Sequence, residues 1–365
     1  MRTSNMFVRS LGVFVPDIVT VEQAAREGLY PAAEIERFQQ IGAAVAGDVP
    51  APEMARRAVL DAYERWGESS PRELDLLLYP SVWHQGPNGW QPQHYLQMHL
   101  LGGHVPAFEI RSGCVGMISS LELAASYLQA DQRRETAMVV SADNHGTPLV
   151  DRWRMTPGAV IGDAACALVL GKEYGMAELL AVNATTIPEA DAVNDGGYPL
   201  FPPDATVGRG LSFGDRHEEF RQRLLKAHGT GIHLTIQKTM MQQVEQTLDE
   251  AGIGLADVTR VAFPHGRRED LDGQMSWLGI EEDQTTWDYG RRVGHCGAVD
   301  QFIAFEHLIA TGGLVAGDHL LMVGFGSGTS VAAAAFRVLS TTPVTKGSVT
   351  EGSVTEGSVT RGAHA

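Results

Sequence analysis

Cys114 lies where a strand-like segment of the sequence passes into a helix-like segment. In "FEIRSGCVGMISSLELAASYL", residues 108–128, apolar and polar residues first alternate, and apolar residues then recur at helical spacing. At a helix N-terminus, free backbone N–H groups and the helix dipole stabilise a thiolate over a thiol. A free cysteine is also a common small hydrophobic core residue. This stretch therefore leaves two interpretations of Cys114 open, a nucleophile and a packed core thiol.

Two histidines in the second half of the chain are candidate partners for this cysteine. His265 ends a strand-like run in "VAFPHGRRED", and His295 precedes an apolar helical run in "GHCGAVDQFIAFEHL". Side chains at strand ends and helix starts gather in the ligand sites of α/β folds. Nucleophilic catalysis by a cysteine requires an adjacent base, and we expect His265 to take the proton in that role.

Asp300 and His295 each allow two interpretations. Asp300 is a candidate third member of a triad, where it would hold the imidazolium. It also suits the first turn of a helix, where a carboxylate complements the dipole. His295 is either a second hydrogen-bond donor to the substrate or a helix-start residue. The predicted catalytic set is therefore Cys114, His265, Asp300 and His295.

The composition is that of an ordinary globular protein. The chain has 365 residues, of which 44% are hydrophobic and 20% charged. That length suffices for two domain-sized units or one duplicated fold. No stretch approaches the roughly 18 consecutive apolar residues of a membrane span, and the N-terminus lacks the apolar core of a signal peptide. We therefore expect a soluble cytoplasmic protein that has no membrane partner.

The cysteine count and the net charge argue against several classes of function. Cys114, Cys166 and Cys296 are too few and too scattered for a disulfide framework or a CxxC metal site. We therefore expect no metal. The formal net charge of −16 argues against a nucleic-acid partner, because phosphate binding requires a clustered positive field.

Strand-like and helix-like segments alternate along the chain. Helices are predicted around 52–66 and 115–130. Strands are predicted at 75–83 and in the segments AFEIRS, TAMVVSAD, ACALVLG, ELLAVNATT, RVAFPH, HLLMVGFG and SVAAAAFRV. This alternation indicates a layered α/β architecture with right-handed crossovers. Each half ends in a helix, a strand, a glycine-containing turn and a last apolar strand, which suggests an internal duplication.

Two segments differ from the rest of the sequence. Residues 188–215 are rich in Gly, Pro and Asp and show no period, so they are predicted to form a long irregular loop. Loops of this length often cover substrates. Near the C-terminus the unit GSVT occurs three times, which indicates a flexible tail outside the fold.

Several motifs stand in order along the chain: RSGCVGM, VIGDAACALVLG, FPH, GHCGAVDQ and GFGSGTS. As a set they resemble 3-oxoacyl-ACP synthase III of the thiolase superfamily. The resemblance implies a thiolase-like α/β fold with two duplicated βαβαβαββ halves in a layered α-β-α-β-α arrangement. The halves would span 1–172 and 173–338, followed by a tail over 339–365. It also implies a homodimer and no cofactor beyond an acyl-ACP or acyl-CoA donor.

The same resemblance assigns roles to individual residues. Cys114 matches the acyl-accepting nucleophile, and His265 matches the first catalytic histidine. Ser327 falls where the family supplies a backbone N–H to the oxyanion hole, beside the N–H of Cys114. Where the condensing enzymes have an asparagine opening "GNTS", this chain has His295 opening "HCGAVD". This difference argues against decarboxylative condensation, although chain-elongating relatives use a Cys-His-His set.

The segment GHCGAVDQ is similar to that of an ester-forming branch of the family, the acyltransferases of antibiotic tailoring such as the malonyltransferase of cervimycin biosynthesis. This similarity implies that Cys114 takes an acyl group, possibly malonyl, from a carrier protein or CoA. The group would then pass intact to a hydroxyl of a sugar or polyketide natural product. Asp300 matches the catalytic aspartate of that branch.

Two other functions stay open. One is a carbon–carbon condensing enzyme of the 3-oxoacyl-ACP synthase III type. The other is a non-catalytic partner subunit, against which the intact Cys114 and His265 count. The acceptor is not readable from the sequence. The aromatic and polar residues of 82–99 suit stacking on a sugar or polycycle, or a dimer contact; they are Trp83, His84, Trp90, His94 and Tyr95.

Overall fold

The computed structural model describes residues 1–67, 74–87, 89–101, 104–146, 150–190, 218, 222, 231–326 and 330–342. Strands and helices alternate within these residues, as the sequence predicts. The strands are β1 (Phe7–Phe14), β2 (Ile18–Thr20), β3 (Gly42–Ala44), β4 (Leu76–Pro80), β5 (Ala107–Ile110), β6 (Thr136–Asp143), β7 (Ala164–Gly171), β8 (Ala177–Thr186), β9 (Arg260–Ala262), β10 (His319–Gly326) and β11 (Ser330–Val338).

The helices include two long ones on the outside of the fold and two that meet at its centre. In chain order they are α1 (Val21–Arg26), α2 (Ile35–Phe38), α3 (Ala51–Trp66), α4 (Pro92–Leu96), α5 (Gly116–Gln129), α6 (Gly231–Ala251), α7 (Arg268–Leu278), α8 (Trp287–Val293) and α9 (Asp300–Ala310). Of the helices described, none is long and apolar enough to span a bilayer.

The main sheet has nine strands in the order β5-β4-β6-β7-β1-β8-β11-β10-β9. A short antiparallel pairing of β1 with β8 joins its two halves. On both sides of this join, the first strand of the half pairs antiparallel with the last strand. The last strand pairs antiparallel with the one before it, which then pairs parallel with a further strand. The repeated strand order confirms the predicted duplication.

Each half-sheet is covered by helices on both faces, which is why its strands are buried on both sides. Val139 of β6 packs in a central cluster with α5 and α9, whereas its neighbour Val140 packs against α3. In the second half, Met322 of β10 joins the same central cluster, and Val323 packs with α6 and α7. The layers are therefore α3, half-sheet, α5 with α9, half-sheet, and α6 with α7, as the predicted α-β-α-β-α arrangement requires.

The structure adds one central strand that the sequence analysis did not identify. β1 contains Arg9 and Ser10, two polar residues that are buried and that interrupt its apolar pattern. The Arg9 guanidinium donates to Thr136 Oγ1 at 2.7 Å, and the Ser10 hydroxyl donates to the Ala62 carbonyl at 2.6 Å. Because these partners come from elsewhere in the chain, the local pattern did not reveal the strand.

The predicted loop at 188–215 falls outside the described residues, apart from a 3-10 turn at Pro188–Ala190. Most of the predicted tail also falls outside them, since the description ends at Thr342. The predicted domain bounds therefore stay predictions.

Candidate active site

Cys114 lies in a 3-10 turn, Gly113–Val115, directly before α5. Gly113 has a φ of 57°, in the left-handed region that favours glycine. The Cys114 side chain is partly exposed, whereas Cys166 and Cys296 are fully buried. Burial raises the pKa of both of those thiols well above the usual value, so they are poor nucleophiles.

Three side chains form a continuous hydrogen-bonded line at this turn. The Cys114 Sγ lies 3.2 Å from His295 Nε2. On the other side of the ring, His295 Nδ1 lies 2.5 Å from Asp300 Oδ2. A thiol, an imidazole and a carboxylate in this order are the parts of a nucleophile–base–orienter triad.

Asp300 is the first residue of α9, and its side chain is fully buried. Besides His295, it accepts two backbone hydrogen bonds, from the N–H of Cys296 and from the N–H of His265, each at 2.7 Å. These donors fix both carboxylate oxygens. Asp300 therefore occupies a first helical turn and also holds the imidazole ring, so both of the roles expected from the sequence fit its position.

The charges of this group favour an ionised carboxylate and a protonated His295. Burial alone would raise the pKa of Asp300, but His265 and His295 lower it. Burial opposes a charge on His295, but the interactions with the Asp300 carboxylate and with Cys114 outweigh it and raise the pKa of the imidazole well above its usual range. An imidazolium beside a sulfur stabilises the thiolate, which is the attacking species.

The backbone of His295 is held by a neighbouring segment of the first half. Its N–H donates to the Val160 carbonyl at 2.8 Å, and its carbonyl accepts from the N–H of Gly162 at 2.9 Å. A Cβ atom on Gly162 would lie 2.1 Å from the Val293 carbonyl oxygen, so only glycine permits this approach. Residues 160–162, which contain part of the VIGDAACALVLG motif, therefore set the position of His295.

His265 lies close to the same carboxylate but does not form a hydrogen bond to Cys114 in this structure. Its Nδ1 lies 3.0 Å from the Gly294 carbonyl oxygen, which can only accept, so Nδ1 carries the hydrogen. Nε2 then holds the lone pair, and it is buried without a hydrogen-bond partner among the described residues. Burial lowers the pKa of His265, although the charge of Asp300 opposes this effect. The ring is therefore set up as a neutral acceptor.

A cavity of about 800 Å³ opens onto these groups. Cys114, His295 and His265 all line it, together with apolar side chains and residues of α7. Of the five aromatic and polar residues predicted for the acceptor, only Trp83 is among the described residues that line the cavity. Trp90 instead packs edge-on against Tyr95, with ring centroids 6.1 Å apart.

The structure brings together four of the five predicted site residues and pairs them differently from the expectation. The sequence analysis assigned the base to His265, and the structure places His295 beside the thiol. The role of His265 therefore stays a prediction. Ser327 lies outside the described residues, although Gly326 comes close to the turn, since a Cβ on it would lie 3.2 Å from the Cys114 backbone nitrogen.

The residues of the cavity wall that were not predicted from the sequence include a histidine, His145. It follows β6 in the segment "SADNHG", where the polar pattern indicates only a strand end. The available signal was its position, because strand ends gather ligand-binding side chains in α/β folds.

Comparison with known families identifies two matching regions. Residues 108–187 match the family described as 3-oxoacyl-[acyl-carrier-protein (ACP)] synthase III, and residues 248–338 match its C-terminal part. The first region contains Cys114, and the second contains His265, His295 and Asp300.

Individual relatives agree with this result. The chain is 24% identical over 273 residues to the beta-ketoacyl-[acyl-carrier-protein] synthase III of Clostridium perfringens, covering 74% of this chain and 79% of that protein. It is 28% identical over 242 residues to the synthase of the same name from Streptomyces glaucescens, covering 62% of this chain and 64% of that protein.

Two solved structures show the degree of structural similarity. ChlB3, an acyltransferase, is 46% identical to this chain with a TM-score of 0.88, covering 93% of this chain and 99% of ChlB3. The 3-oxoacyl-[acyl-carrier-protein] synthase III from Aquifex aeolicus is 20% identical with a TM-score of 0.73, covering 91% of this chain and 99% of that chain. This second likeness establishes the thiolase-like fold.

Proposed function

The chain belongs to the 3-oxoacyl-[acyl-carrier-protein] synthase III family, and we propose that it is an ester-forming acyltransferase of that family. In this proposal an acyl group, with malonyl the first candidate, passes from an acyl carrier protein or CoA thioester to Cys114. It is then transferred intact to a hydroxyl of a sugar or polyketide natural product. The similarity to ChlB3, an acyltransferase, supports the proposal.

The observation that carries the proposal is the line of Cys114, His295 and Asp300, with contacts of 3.2 and 2.5 Å. In the first displacement the thiolate attacks the thioester carbonyl and the donor C–S bond breaks. The departing thiolate takes the proton from His295 Nε2, which lies beside the reacting sulfur. Asp300 holds the ring in the tautomer that this step needs.

In the second displacement the acceptor oxygen attacks the acyl group on Cys114. The Sγ–C bond breaks and the thiolate returns. We assign the hydroxyl proton to His265, because its Nε2 carries a lone pair without a partner among the described residues and the residue lines the cavity. The proton then exchanges with solvent, from which His295 regains its charge. Each histidine thus serves one of the two displacements.

The tautomer of His265 also bears on the condensing alternative. Decarboxylation of a malonyl group requires hydrogen-bond donors at the developing enolate oxygen. Neutral His265 has its hydrogen on Nδ1, which faces the Gly294 carbonyl, so it offers no hydrogen at Nε2. Nothing at that nitrogen favours loss of carbon dioxide before the acceptor arrives.

A homodimer is part of the proposal. β5 is the last strand at one edge of the main sheet, and its Phe108 side chain is 55% exposed. Such an edge is a template for pairing with another chain. A second copy of this chain would cover it.

The test is to incubate the protein with malonyl-CoA or malonyl-ACP and to record its intact mass over time. The proposal predicts a malonyl adduct that persists, and an ester heavier by the whole malonyl group once an acceptor is added. Rapid formation of an acetyl adduct together with a 3-oxoacyl product would instead support the condensing enzyme. Absence of any adduct on Cys114 would overturn the acyl-transfer proposal.

A further inference from the structure

His145 is anchored in the same way as His265. Its backbone N–H donates to Asp163 Oδ1 at 2.8 Å, and its Nδ1 lies 2.9 Å from the Gly162 carbonyl oxygen. In His265 the corresponding distances are 2.7 Å to Asp300 and 3.0 Å to the Gly294 carbonyl. In both residues the Nδ1 also lies 3.5 Å from the same carboxylate. The two rings therefore share one construction.

The two anchoring carbonyls belong to backbone segments that are paired with each other. Ile161 and His295 form a parallel bridge, and the hydrogen bonds of that bridge run from Gly162 to His295 and from His295 to Val160. The carbonyls of Gly162 and Gly294 thus belong to one small frame, the paired backbone segments 160–162 and 294–295. That frame holds the His145 and His265 rings on the wall of the cavity that contains Cys114.

The hydrogen-bond logic of His265 applies to His145. A carbonyl oxygen only accepts, so Nδ1 donates and Nε2 is the nitrogen left to accept from a ligand. The His145 side chain is only 3% exposed, so a bulk-water partner is not readily available to it. Because His145 lines the cavity, a hydroxyl bound there can donate to this nitrogen.

The carboxylates that anchor the two rings, Asp163 and Asp300, have different positively charged partners. Burial would raise the pKa of Asp163, but His145 and Arg152 lower it to about 2, and the Arg152 guanidinium lies 2.9 Å from it. Asp300 instead has the imidazolium of His295 as its cationic partner, at 2.5 Å. The Asp163 charge is therefore already neutralised by an arginine, which suits His145 to binding rather than to proton transfer.

We propose that His145 is a specificity-determining residue whose Nε2 accepts a hydrogen bond from a second hydroxyl of the acceptor, so that the enzyme selects diols or polyols. This inference rests on the proposed acyl transfer and deepens it. One hydroxyl is acylated while its hydrogen passes to His265. A second hydroxyl is held by His145.

The experiment compares two small alcohols as acceptors, trans-cyclohexane-1,2-diol and cyclohexanol. The enzyme is first loaded with malonyl-CoA, and the loss of the malonyl adduct is followed by intact mass for each alcohol. We expect the diol to act about 3- to 10-fold faster in the wild type, the scale of one neutral hydrogen bond. His145→Phe should erase this preference, whereas His145→Gln, which can still accept, should retain part of it.

Loading and thermal unfolding of each variant serve as controls for folding. If the two alcohols act alike on the wild-type enzyme, or if the preference survives in His145→Phe, the role of His145 is wrong. If His145→Phe fails to fold, His145→Ala, which has no side-chain acceptor, decides in its place. Survival of the preference in His145→Ala overturns the role. A malonyl adduct that never forms, or that loses carbon dioxide, would contradict the acyl-transfer proposal itself, so the two failures are distinguishable.

Discussion

His295 and His265 bind the same carboxylate, yet their surroundings favour opposite charge states. His295 lies between Asp300 and the Cys114 sulfur, and its interactions with both overcome burial and raise its pKa. His265 Nδ1 lies 3.5 Å from the same carboxylate, but burial prevails over the charge of Asp300 and lowers the pKa of His265. The difference shows how one buried aspartate can prepare one imidazole as a cation and another as a neutral acceptor.

The largest effect is expected when the Cys114 sulfur, which lies beside the His295 imidazolium, is removed. Cys114→Ala should abolish covalent acyl loading, because the fully buried Cys166 and Cys296 cannot replace it. Cys166→Ala is the matched control and should load like the wild type. Intact mass after incubation with malonyl-CoA measures both. A malonyl group recovered on Cys296 would identify Cys296, and not Cys114, as the nucleophile.

Removing the charge that both histidines share should give the next largest effect. Asp300→Asn keeps the shape but lets His295 lose its proton and its tautomer, so turnover should fall by about 10³- to 10⁴-fold. Asp288→Asn removes a different first-turn carboxylate, on α8, and should change turnover little. Equal effects of the two substitutions would mean that Asp300 only complements a helix dipole.

His265→Ala removes the neutral imidazole that we assign as the base for the second displacement. We expect transfer to an alcohol acceptor to slow by a factor on the order of 100, the usual scale for losing a general base. His319→Ala, which changes a histidine remote from the cavity lining, is the control. Single-turnover decay of the malonyl adduct gives the rate, and unchanged decay would assign this proton to His295 as well.

The smallest effect is a separation of pH dependences. A neutral base is lost when the pH falls below its pKa, and since the pKa of His265 is lowered, transfer should keep its rate until the pH is below about 6.5. An imidazolium is lost when the pH rises above its pKa, and since that of His295 is raised, loading should decline only above about 6.5. The check is to measure the rates of loading and of transfer separately from acid to alkaline pH. If both rates changed at the same pH and in the same direction, the assignment of His295 to loading and of His265 to transfer would be contradicted.

The sequence predicted the fold better than it predicted the pairing within the site. Strands such as β6 and β10 are continuous apolar runs, and the order of such runs with helices is sufficient to indicate a duplicated α/β architecture. β1 was missed because its buried Arg9 and Ser10 are satisfied by distant partners.

The identity of the residue beside the thiol depends on how far each histidine lies from Cys114 in the folded protein. The spacing of the residues along the chain does not give these distances. Both His265 and His295 stand at element ends, and the sequence placed each near Cys114. What selects His295 is its backbone pairing with Val160 and Gly162, two residues from the other half of the chain. The same pairing explains why His145 escaped notice, since its anchor on Gly162 exists only in the folded protein.

The measurement that tests the account most directly is the rate of Cys114 loading by malonyl-CoA in His295→Ala and His265→Ala, followed side by side by intact mass. We expect His295→Ala to slow loading by a factor on the order of 100 or more, the scale for losing acid–base help. His265→Ala should load at close to the wild-type rate and then retain its malonyl group. Slower loading in His265→Ala than in His295→Ala would contradict the assignment of the two histidines.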